Sequence, residues 1–373
     1  MLAIANLIEL VGDEFRFHVI TRDRDITEKS AYAGVQTDRW TPVGKASVLY
    51  TSDLSFSNLR RHILEIAPNV IYLNSFFSPG TRKILTLRRL GLLPASAVVL
   101  APRGEFSPGA LRLKRLRKWL YQRVTKRTGL YRDLTWQASS DLEKQQITAS
   151  GIANGRRNRV SLVVTSDAPN PHLPEFPIEL HRPEKRPGAV RLIFLSRVSR
   201  KKNLHFALKS LAALRGHVEL EIVGPVEDAG YWAACQEQVR ALPKNIVVTF
   251  AGPVQHEHVS RTFFQHHFLL LPTLGENFGY AILEALAAGC PVFISDQTPW
   301  RNLQAAGVGW DLPLGKPGDW ESALQECIAM DDAGYQSMSQ RVRCFAERWV
   351  SSPFFHRDSV GLFRSALDSV ASQ

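Results

Sequence analysis

The stretch LPTLGENFGYAILEALAAGCPVFIS, from Leu271 to Ser295, decides the fold. An apolar run ends at Pro272, where a buried strand would stop, and a polar turn follows it. Gly279 then opens a segment that we interpret as a helix through Ala288, and a second apolar run from Pro291 predicts another strand. A strand, a turn, a helix and a second strand in this order indicate one unit of a parallel α/β sheet.

The same alternation of short apolar runs and helical patterns extends over most of the chain. In the first half it predicts strands at Phe15–Thr21, Ala46–Tyr50, Val70–Leu73, Ala97–Ala101 and Leu134–Ala138. In the second half it predicts strands at Val190–Leu195, Val218–Val223, Ile246–Phe250, Phe268–Pro272 and Pro291–Ser295. The pattern predicts an α/β fold of two doubly wound, Rossmann-like domains with a ligand cleft between them.

Between the two halves lies a segment, residues 166–188, in which prolines are too dense for a regular helix or a central strand. We interpret it as an interdomain linker. The predicted organisation is an N-terminal domain over residues 1–170, a linker over 171–188, a C-terminal domain over 189–350 and a closing helix over 351–373. A length of 373 residues is comfortable for two domains.

The composition is that of a soluble globular protein, with 45% hydrophobic and 22% charged residues. We expect a cytoplasmic location, because no run of about 18 apolar residues occurs and the start lacks the features of a signal peptide. The four cysteines lie far apart, which argues against structural zinc. The net charge of +11 favours polyanionic partners, but it does not choose among nucleic acid, phosphorylated small molecules and an anionic membrane.

The turn before the predicted helix has the composition of a phosphate site. Gly279 lets backbone amides approach a ligand, and the free N–H groups of a helix N-terminus attract an anion. Glu276 lies in the turn and Glu284 two turns into the helix, so one carboxylate can reach sugar hydroxyls while the other accepts from a ribose. The alternative is that Glu276 only caps the helix and Glu284 is a solvated helix residue.

A second polar turn, SRVSRKKN at residues 196–203, follows the first predicted strand of the C-terminal domain. It places Arg197 and Lys202 where a strand turns into a helix. Arginine offers a planar fork to phosphate oxygens and lysine a mobile point charge, which suits a diphosphate leaving group. The alternative is a basic surface turn without a ligand.

Together these two turns resemble family 4 of the retaining GT-B glycosyltransferases, which carries an Arg-x4-Lys element and a Glu-x7-Glu element beside a Phe-Gly helix start. The resemblance covers most of residues 190–345. It implies transfer of a sugar from a nucleotide-sugar donor to a glycan or lipid-linked acceptor, with retention of anomeric configuration. The chain resembles the members that assemble polysaccharide and lipopolysaccharide, which implies a role in cell-surface polysaccharide biosynthesis.

The resemblance also implies roles for single residues. Arg197 and Lys202 would hold the donor diphosphate, Glu276 would contact the transferred sugar, and Glu284 would contact the ribose. We therefore expect catalytic roles for Arg197, Lys202 and Glu276, and donor binding by Thr273, Asn277, Phe278, Gly279 and Glu284. Asparagine stands at 277 where many members have glycine, a tolerable departure because asparagine also adopts left-handed backbone conformations. No general base is expected from the protein, since the leaving phosphate itself assists the acceptor.

The first domain carries a weaker resemblance. APRGEFSPGA, residues 101–110, follows a predicted strand and resembles a PRG-x-x-SPGAL segment of the polysaccharide-assembling members. Arg103 and Glu105 are candidates to orient an acceptor, and the alternative is a buried ion pair that fixes the loop. Gln137 stands where many relatives have histidine, so we assign it no acid–base role.

Residues 112–127, RLKRLRKWLYQRVTKR, form a basic segment with leucines at helical spacing. A basic amphipathic helix of this kind can lie on an anionic membrane, here the inner face of the cytoplasmic membrane. The candidate membrane-surface residues are Arg115, Arg117, Lys118 and Trp119. The alternative is a surface helix whose leucines, Leu113 among them, pack on the sheet while its charges, including Lys114, are only solvated.

Other sequence features argue against a metal ion and against competing functions. Asp23-Arg24-Asp25 resembles a D-x-D metal motif of a different glycosyltransferase fold, but no acidic cluster accompanies it, so we expect no metal and no cofactor. A sugar-nucleotide epimerase of the same fold needs acid–base residues that we cannot place. The second alternative is a non-catalytic basic binding protein, and no nucleic-acid-binding signature supports it.

The N-terminal domain is expected to be incomplete. Family members begin with a strand and a glycine-rich loop, whereas this chain begins with a predicted helix at Ala3–Leu10. Because the first strand of a doubly wound sheet is central, Phe15–Thr21 and a later strand would lose hydrogen-bond partners. We expect the native polypeptide to start upstream of Met1 by about 15–30 residues, and the chain as written to fold poorly or transfer little.

Overall fold

The computed structural model describes residues 2–24, 30–112, 115–153, 161–170, 172–176 and 180–371. The chain divides into two compact units. Unit 1 consists of Met1–Pro169 together with Pro353–Gln373, and unit 2 consists of Asn170–Ser352. The last helix of the chain therefore belongs to unit 1, and most of the proline-rich segment belongs to unit 2.

The described strands of unit 1 form two sheets. The strands are β1 (Phe17–Arg22), β2 (Trp40–Val43), β3 (Ala46–Thr51), β4 (Val70–Asn74), β5 (Ala97–Ala101), β6 (Thr135–Ala138) and β7 (Ser161–Val164). In the first sheet β3 lies between β1, to which it is parallel, and β2, to which it is antiparallel. In the second sheet β4, β5, β6 and β7 lie side by side in that order, and all are parallel.

Helices accompany the two sheets of unit 1, and the last of them contacts both sheets through a side chain. They are α1 (Leu2–Val11), α2 (Phe56–Ile66), α3 (Pro79–Arg89), α4 (Pro108–Arg112), α5 (Arg115–Thr128), α6 (Asp141–Ala149) and a C-terminal helix (Phe354–Ala371). The ring of Phe363 in the C-terminal helix lies 6.0 Å from Phe17 of β1 and 5.9 Å from Tyr72 of β4. Among the described strands of unit 1, β1 and β4 are sheet edges that share this apolar cluster, whereas a doubly wound domain has one continuous sheet.

Unit 2 contains a six-stranded parallel sheet. Its strands are β8 (Ala189–Leu195), β9 (His217–Val223), β10 (Ile246–Gly252), β11 (Phe268–Leu271), β12 (Val292–Ser295) and β13 (Gly309–Leu312). Their order in space is β10-β9-β8-β11-β12-β13. The direction of chain progress reverses between β8 and β11, so the carboxyl ends of these two strands form the switch point at which α/β sheets bind ligands.

Helices cover both faces of this sheet. They are α7 (Leu204–Leu211), α8 (Ala229–Arg240), α9 (His256–Phe264), α10 (Tyr280–Ala287), α11 (Pro317–Ala329) and α12 (Asp332–Val350). All four residues of β11 are buried, although consecutive side chains of a strand point to opposite faces. Such burial requires a cover on each side, as in parallel doubly wound sheets, and it confirms the predicted α/β fold class for unit 2.

Two cationic side chains, of which Lys185 is buried, fix the end of the proline-rich segment within unit 2. The guanidinium of Arg182 donates to the carbonyl of Ala288 and, at 3.2 Å, to the hydroxyl of Tyr335. The ammonium of Lys185 donates to the carbonyl oxygens of Ile328 (3.2 Å) and Met330 (2.8 Å), at the end of α11. Burial lowers the pKa of Lys185, and these two carbonyl groups, together with that of Arg186 at 3.1 Å, accept from its ammonium.

The structure contains three strands that the sequence pattern does not predict, namely β2, β7 and β13. Each has four residues and lies at the end of its sheet. An edge strand of this length needs only a short apolar stretch, and β2 includes Pro42, which is tolerated at an edge because no ladder hydrogen bond is lost there. The longer predicted strands are present with ends shifted by one or two residues.

Candidate functional site

Two turns meet at the switch point of unit 2. One follows β8 and contains a 3-10 turn at Arg200–Lys202, and the other follows β11. The amide of Leu274 donates to the carbonyl of Lys201 at 2.8 Å, and the hydroxyl of Thr273 donates to the same oxygen at 3.2 Å. The two turns are therefore fixed to each other by their backbone as well as by their strands.

Asn203 strengthens this junction. It precedes α7 with a φ of +60°, a left-handed conformation that asparagine tolerates better than most residues. Its side-chain amide donates to the carbonyl of Pro272 at 3.0 Å, at the end of β11. No motif in the sequence marks this contact, although an asparagine directly before a helix is a recognisable start signal.

The junction brings Lys202 and Glu276 together, 74 residues apart in the chain. The ammonium of Lys202 donates to Oε1 of Glu276, and the two side chains are only 14% and 11% exposed. Two of the three residues for which we expect catalytic roles thus form one largely buried ion pair. A buried pair of this kind keeps both charges in place, and either partner alone would be left uncompensated.

Arg197 lies in a different environment. Its guanidinium is 58% exposed and contacts the carboxylate of Glu227 at 3.1 Å. Exposed pairs of this kind contribute little stability, so a doubly charged phosphate group can displace the glutamate. Lys202 is therefore held in the site by Glu276, whereas Arg197 is free to turn toward an anionic ligand.

The N-terminus of α10 provides backbone donors next to this ion pair. Gly279 precedes the helix with a φ of +83°, which favours glycine, and a Cβ there would lie 2.8 Å from Cδ1 of Ile282. Between Glu276 and Gly279 the chain passes through Asn277 and the buried ring of Phe278. The first amides of a helix have no acceptor within the helix, so this end of α10 suits an anion.

Glu284 lies on α10, two turns after Gly279. Burial raises the pKa of its carboxyl group to about 7. Nδ1 of His256, the first residue of α9, lies 3.8 Å from Oε1 of Glu284. A carboxyl group that titrates near neutrality can both accept and donate hydrogen bonds to vicinal hydroxyls, the chemistry that a ribose presents.

The acceptor candidates of unit 1 make internal contacts. Arg103, with a φ of +57°, forms an ion pair with Asp167 and donates to the hydroxyl of Tyr72 at 2.9 Å. Glu105 accepts from the hydroxyl of Ser75 at 2.7 Å and from the amide of Phe77 at 3.2 Å, and burial raises its pKa. The two residues fix the same loop, but the structure does not pair them with each other.

Gln137 is buried in β6. Its side-chain nitrogen donates to the carbonyl of Thr165 at 2.9 Å, and its oxygen accepts from the hydroxyl of Tyr72. Since that hydroxyl also accepts from Arg103, the glutamine belongs to the hydrogen-bonded network that holds the loop. A structural role explains both of its contacts.

The basic segment forms α4 and α5, and its apolar residues face solvent. The exposed fractions are 78% for Leu116, 52% for Trp119, 57% for Leu120 and 50% for Val124. The alternative in which these leucines pack on the sheet is therefore wrong for Leu116 and Leu120. Leu113 and Lys114 lie outside the described residues.

The basic residues of α5 differ in their contacts. Arg115 and Arg117 are exposed, whereas Lys118 donates to the carbonyl of Ala110 at 2.6 Å and lies 5.1 Å from the ring centre of Phe77. Lys118 therefore stabilises the corner between α4 and α5, in addition to contributing its charge to the basic segment. No helix in the described part of the chain is both long and apolar enough to cross a bilayer.

The D-x-D motif shows an internal ion pair. Asp23 accepts from the guanidinium of Arg24 at 2.8 Å, and this hydrogen bond lowers the pKa of the carboxyl group. Asp25 lies outside the described residues. Within those residues no group of three or more histidine, cysteine or acidic side chains could hold a metal ion.

Comparisons of sequence place unit 2 among known proteins. Residues 189–330 match the family described as Glycosyl transferases group 1. The O-antigen chain mannosyltransferase RfbU of Salmonella typhimurium is 26% identical over 132 residues, which are 35% of this chain and 36% of that protein. The D-inositol 3-phosphate glycosyltransferase of Geodermatophilus obscurus is 28% identical over 151 residues, 38% of this chain and 34% of that protein. The match thus spans about a third of the length of these curated relatives.

Comparisons of structure cover the whole chain. HepE of Anabaena, solved with UDP and glucose, has a TM-score of 0.62 at 15% identity, over 100% of this chain and 95% of that one. Sucrose-phosphate synthase of Thermosynechococcus elongatus has a TM-score of 0.69 at 15% identity, over 100% of this chain and 94% of that one. WaaG, a glycosyltransferase involved in lipopolysaccharide biosynthesis, has a TM-score of 0.60 at 13% identity, over 100% and 96%. The chain therefore has the GT-B fold, and residues 189–330 of its unit 2 match the glycosyl transferases group 1 family.

Proposed function

We propose that this protein is a glycosyltransferase that binds a nucleotide-sugar donor in unit 2 and transfers the sugar to a glycan or lipid-linked acceptor. The observation that carries the proposal is the buried pair of Lys202 and Glu276 beside the N-terminus of α10, at the switch point of a parallel sheet. This arrangement offers a cation, a carboxylate and backbone donors within one strand-end site. A nucleoside diphosphate bonded to a sugar presents the matching groups.

In the proposed reaction the bond between the anomeric carbon and the phosphate oxygen breaks, and a bond to the acceptor oxygen forms on the same face. The acceptor proton passes to the departing phosphate, so the protein supplies no general base. Lys202, Arg197 and the amides before α10 stabilise the charge that grows on the diphosphate, the kind of preorganised contribution that is usually largest in catalysis. Because these groups supply positive charge, the proposal includes no resident metal ion or cofactor.

The two carboxylates have different proposed roles. Glu276, next to Lys202, contacts the sugar that moves, and Glu284, with its pKa of about 7, contacts the ribose. Contacts to a moving sugar can change between the ground state and the transition state, whereas ribose contacts remain uniform. Glu276 is therefore assigned to turnover and Glu284 to donor affinity.

The similar proteins support a place in cell-surface polysaccharide biosynthesis. RfbU is named as an O-antigen chain mannosyltransferase, and WaaG is described as involved in lipopolysaccharide biosynthesis. HepE was solved with UDP and glucose, so UDP-sugars are the first donors to test. The proposed acceptor is accordingly a growing glycan or a lipid-linked saccharide.

A panel of UDP- and GDP-sugars tests the proposed function by thermal denaturation. A donor at a hundred times its Kd should stabilise the protein by about 2.7 kcal/mol, since only the folded state binds it. Release of nucleoside diphosphate should then require an acceptor. Salt-dependent retention on nucleic acid without any stabilisation by nucleotide-sugars would favour the non-catalytic alternative, and interconversion of sugar epimers without transfer would favour an epimerase.

Helix α5 supports a further element of the proposal, peripheral attachment to an anionic membrane. Its exposed leucines and Trp119 can enter the interface, while Arg115 and Arg117 contact lipid phosphates. Such a surface would place the enzyme on the inner face of the cytoplasmic membrane, where lipid-linked acceptors are presented.

The variant R115Q/R117Q should bind anionic vesicles about 30-fold more weakly, because each charge near such a surface contributes about 1 kcal/mol. Sedimentation with phosphatidylglycerol vesicles measures the change, with phosphatidylcholine vesicles as the uncharged comparison. The matched control is R215Q/R240Q, which removes two exposed charges from unit 2 and should bind like the unaltered protein. If the unaltered protein does not sediment with anionic vesicles, the attachment is wrong.

A further inference from the structure

The stretch from Ser295, the last residue of β12, to Trp300 holds the turn after β11 from inside the protein. It does so through three hydrogen bonds to the turn that follows β11. The hydroxyl of Ser295 donates to the carbonyl of Thr273, the carbonyl of Gln297 accepts from the amide of Glu276 at 3.1 Å, and Nε1 of Trp300 donates to the carbonyl of Phe278 at 2.7 Å. The last contact is the one nearest to α10.

Trp300 is itself rigidly held. The residue is buried, and its ring lies against that of Trp349 from α12, with centroids 4.6 Å apart. Its amide donates to the hydroxyl of the buried Thr298 at 3.2 Å. The indole N–H therefore has a fixed position, and the Phe278 carbonyl is its acceptor.

The contact determines where the next amide points. In a planar trans peptide the carbonyl of one residue and the N–H of the next point in opposite directions. Because Trp300 holds the carbonyl of Phe278 on the inner side, the N–H of Gly279 is directed to the other side, away from Trp300. The left-handed backbone of Gly279 then starts α10, and a Cβ at this position would lie only 3.3 Å from Nε1 of Trp300.

We propose that Trp300 is a positioning residue for the donor diphosphate, acting through the Phe278–Gly279 peptide rather than by touching the ligand. The inference rests on the proposed function, since it assumes that the amides at the start of α10 meet the phosphates. Without the indole N–H, this peptide can rotate and leave the phosphate without one or more fixed donors. The base and ribose of the nucleotide do not depend on this peptide.

The test removes the indole N–H and keeps a smaller aromatic ring at the position that faces Trp349. W300F should bind UDP, or GDP if that is the diphosphate the protein prefers, about tenfold more weakly, the effect of losing one hydrogen bond to a charged group. Binding of the matching nucleoside, measured by competition, should be unchanged. General loosening of unit 2 would weaken the nucleoside and the diphosphate alike.

Trp320 offers a matched control in the same unit. It is also buried, and its indole N–H also donates to a backbone carbonyl, that of Pro313, at 3.2 Å. W320F should lose a similar amount of thermal stability as W300F but keep the affinity of the unaltered protein for the diphosphate.

The outcomes separate the inference from the proposed function. If W300F binds the diphosphate normally, or if W320F lowers the affinity for the diphosphate equally, the positioning role is wrong while the proposed function stands. If the unaltered protein binds neither UDP nor GDP, the proposed function fails and the inference fails with it.

Discussion

Replacing Lys202 by alanine should lower turnover by about two to three orders of magnitude, the loss typical of one preorganised donor to developing negative charge. Lys202 is the largely buried cation of the site, whereas Arg197 is mostly exposed and paired elsewhere. The ammonium of Lys202 is therefore the group that can compensate the negative charge of the diphosphate in a part of the site with little water. Initial rates of nucleoside diphosphate release, with donor and acceptor both saturating, measure the effect.

Arg200 is the control for this prediction. It lies in the same turn as Lys202, but it is exposed and contacts Asp228 at 3.2 Å. R200A removes an equal charge from the same turn and should change turnover little. Near-normal turnover in K202A, or an equal loss in R200A, would contradict the assignment of the diphosphate to Lys202.

The sheet of unit 2 could be predicted from the sequence because its central strands are buried on both faces. Such strands are nearly continuous apolar runs, as in Phe268–Leu271, and they stand out from the helices beside them. Edge strands such as β13 carry no such run, so the sequence pattern does not reveal them. The division of unit 1 into two sheets depends on pairing between distant segments, which apolar patterning does not specify.

The members of the site were predictable, but their pairing was not. Glu276 and Lys202 were found from residue type and from their place after strands, yet the salt bridge between them depends on the contact of Lys201 with the turn after β11. Trp300 gave no signal, because a tryptophan in a loop is as compatible with the core as with a site. The proposed role of Trp300 depends on the backbone carbonyl of Phe278, which only the fold brings within hydrogen-bond distance of the indole N–H.

The amphipathic pattern of α5 was also predictable, whereas the environment of its apolar face was not. Leucines at helical spacing are equally compatible with packing on a sheet and with contact to lipid. Exposure of Leu116 and Leu120 excludes packing on the sheet for these two side chains, and contact with lipid therefore stays a proposal.

The double variant K202A/E276Q should separate stability from chemistry at the buried ion pair. In K202A the carboxylate of Glu276 stays in a largely buried position without its cation, which should destabilise unit 2 by about 2 kcal/mol. In E276Q alone the ammonium of Lys202 stays largely buried without its carboxylate, which should destabilise unit 2 in the same way. In the double variant neither charge remains, so most of the lost stability should return.

Turnover, in contrast to stability, should not recover in the double variant. A reaction that uses both groups stays slow in the double variant, by at least the two to three orders of magnitude expected for Lys202 alone. Urea unfolding followed by circular dichroism measures the free energy of unfolding, and initial rates measure turnover. Both are measured on the unaltered protein, K202A, E276Q and the double variant. If turnover recovers together with stability, Lys202 and Glu276 only support the fold. Recovery of stability without turnover would show that the pair acts in the reaction, because removal of both charges then harms nothing except turnover.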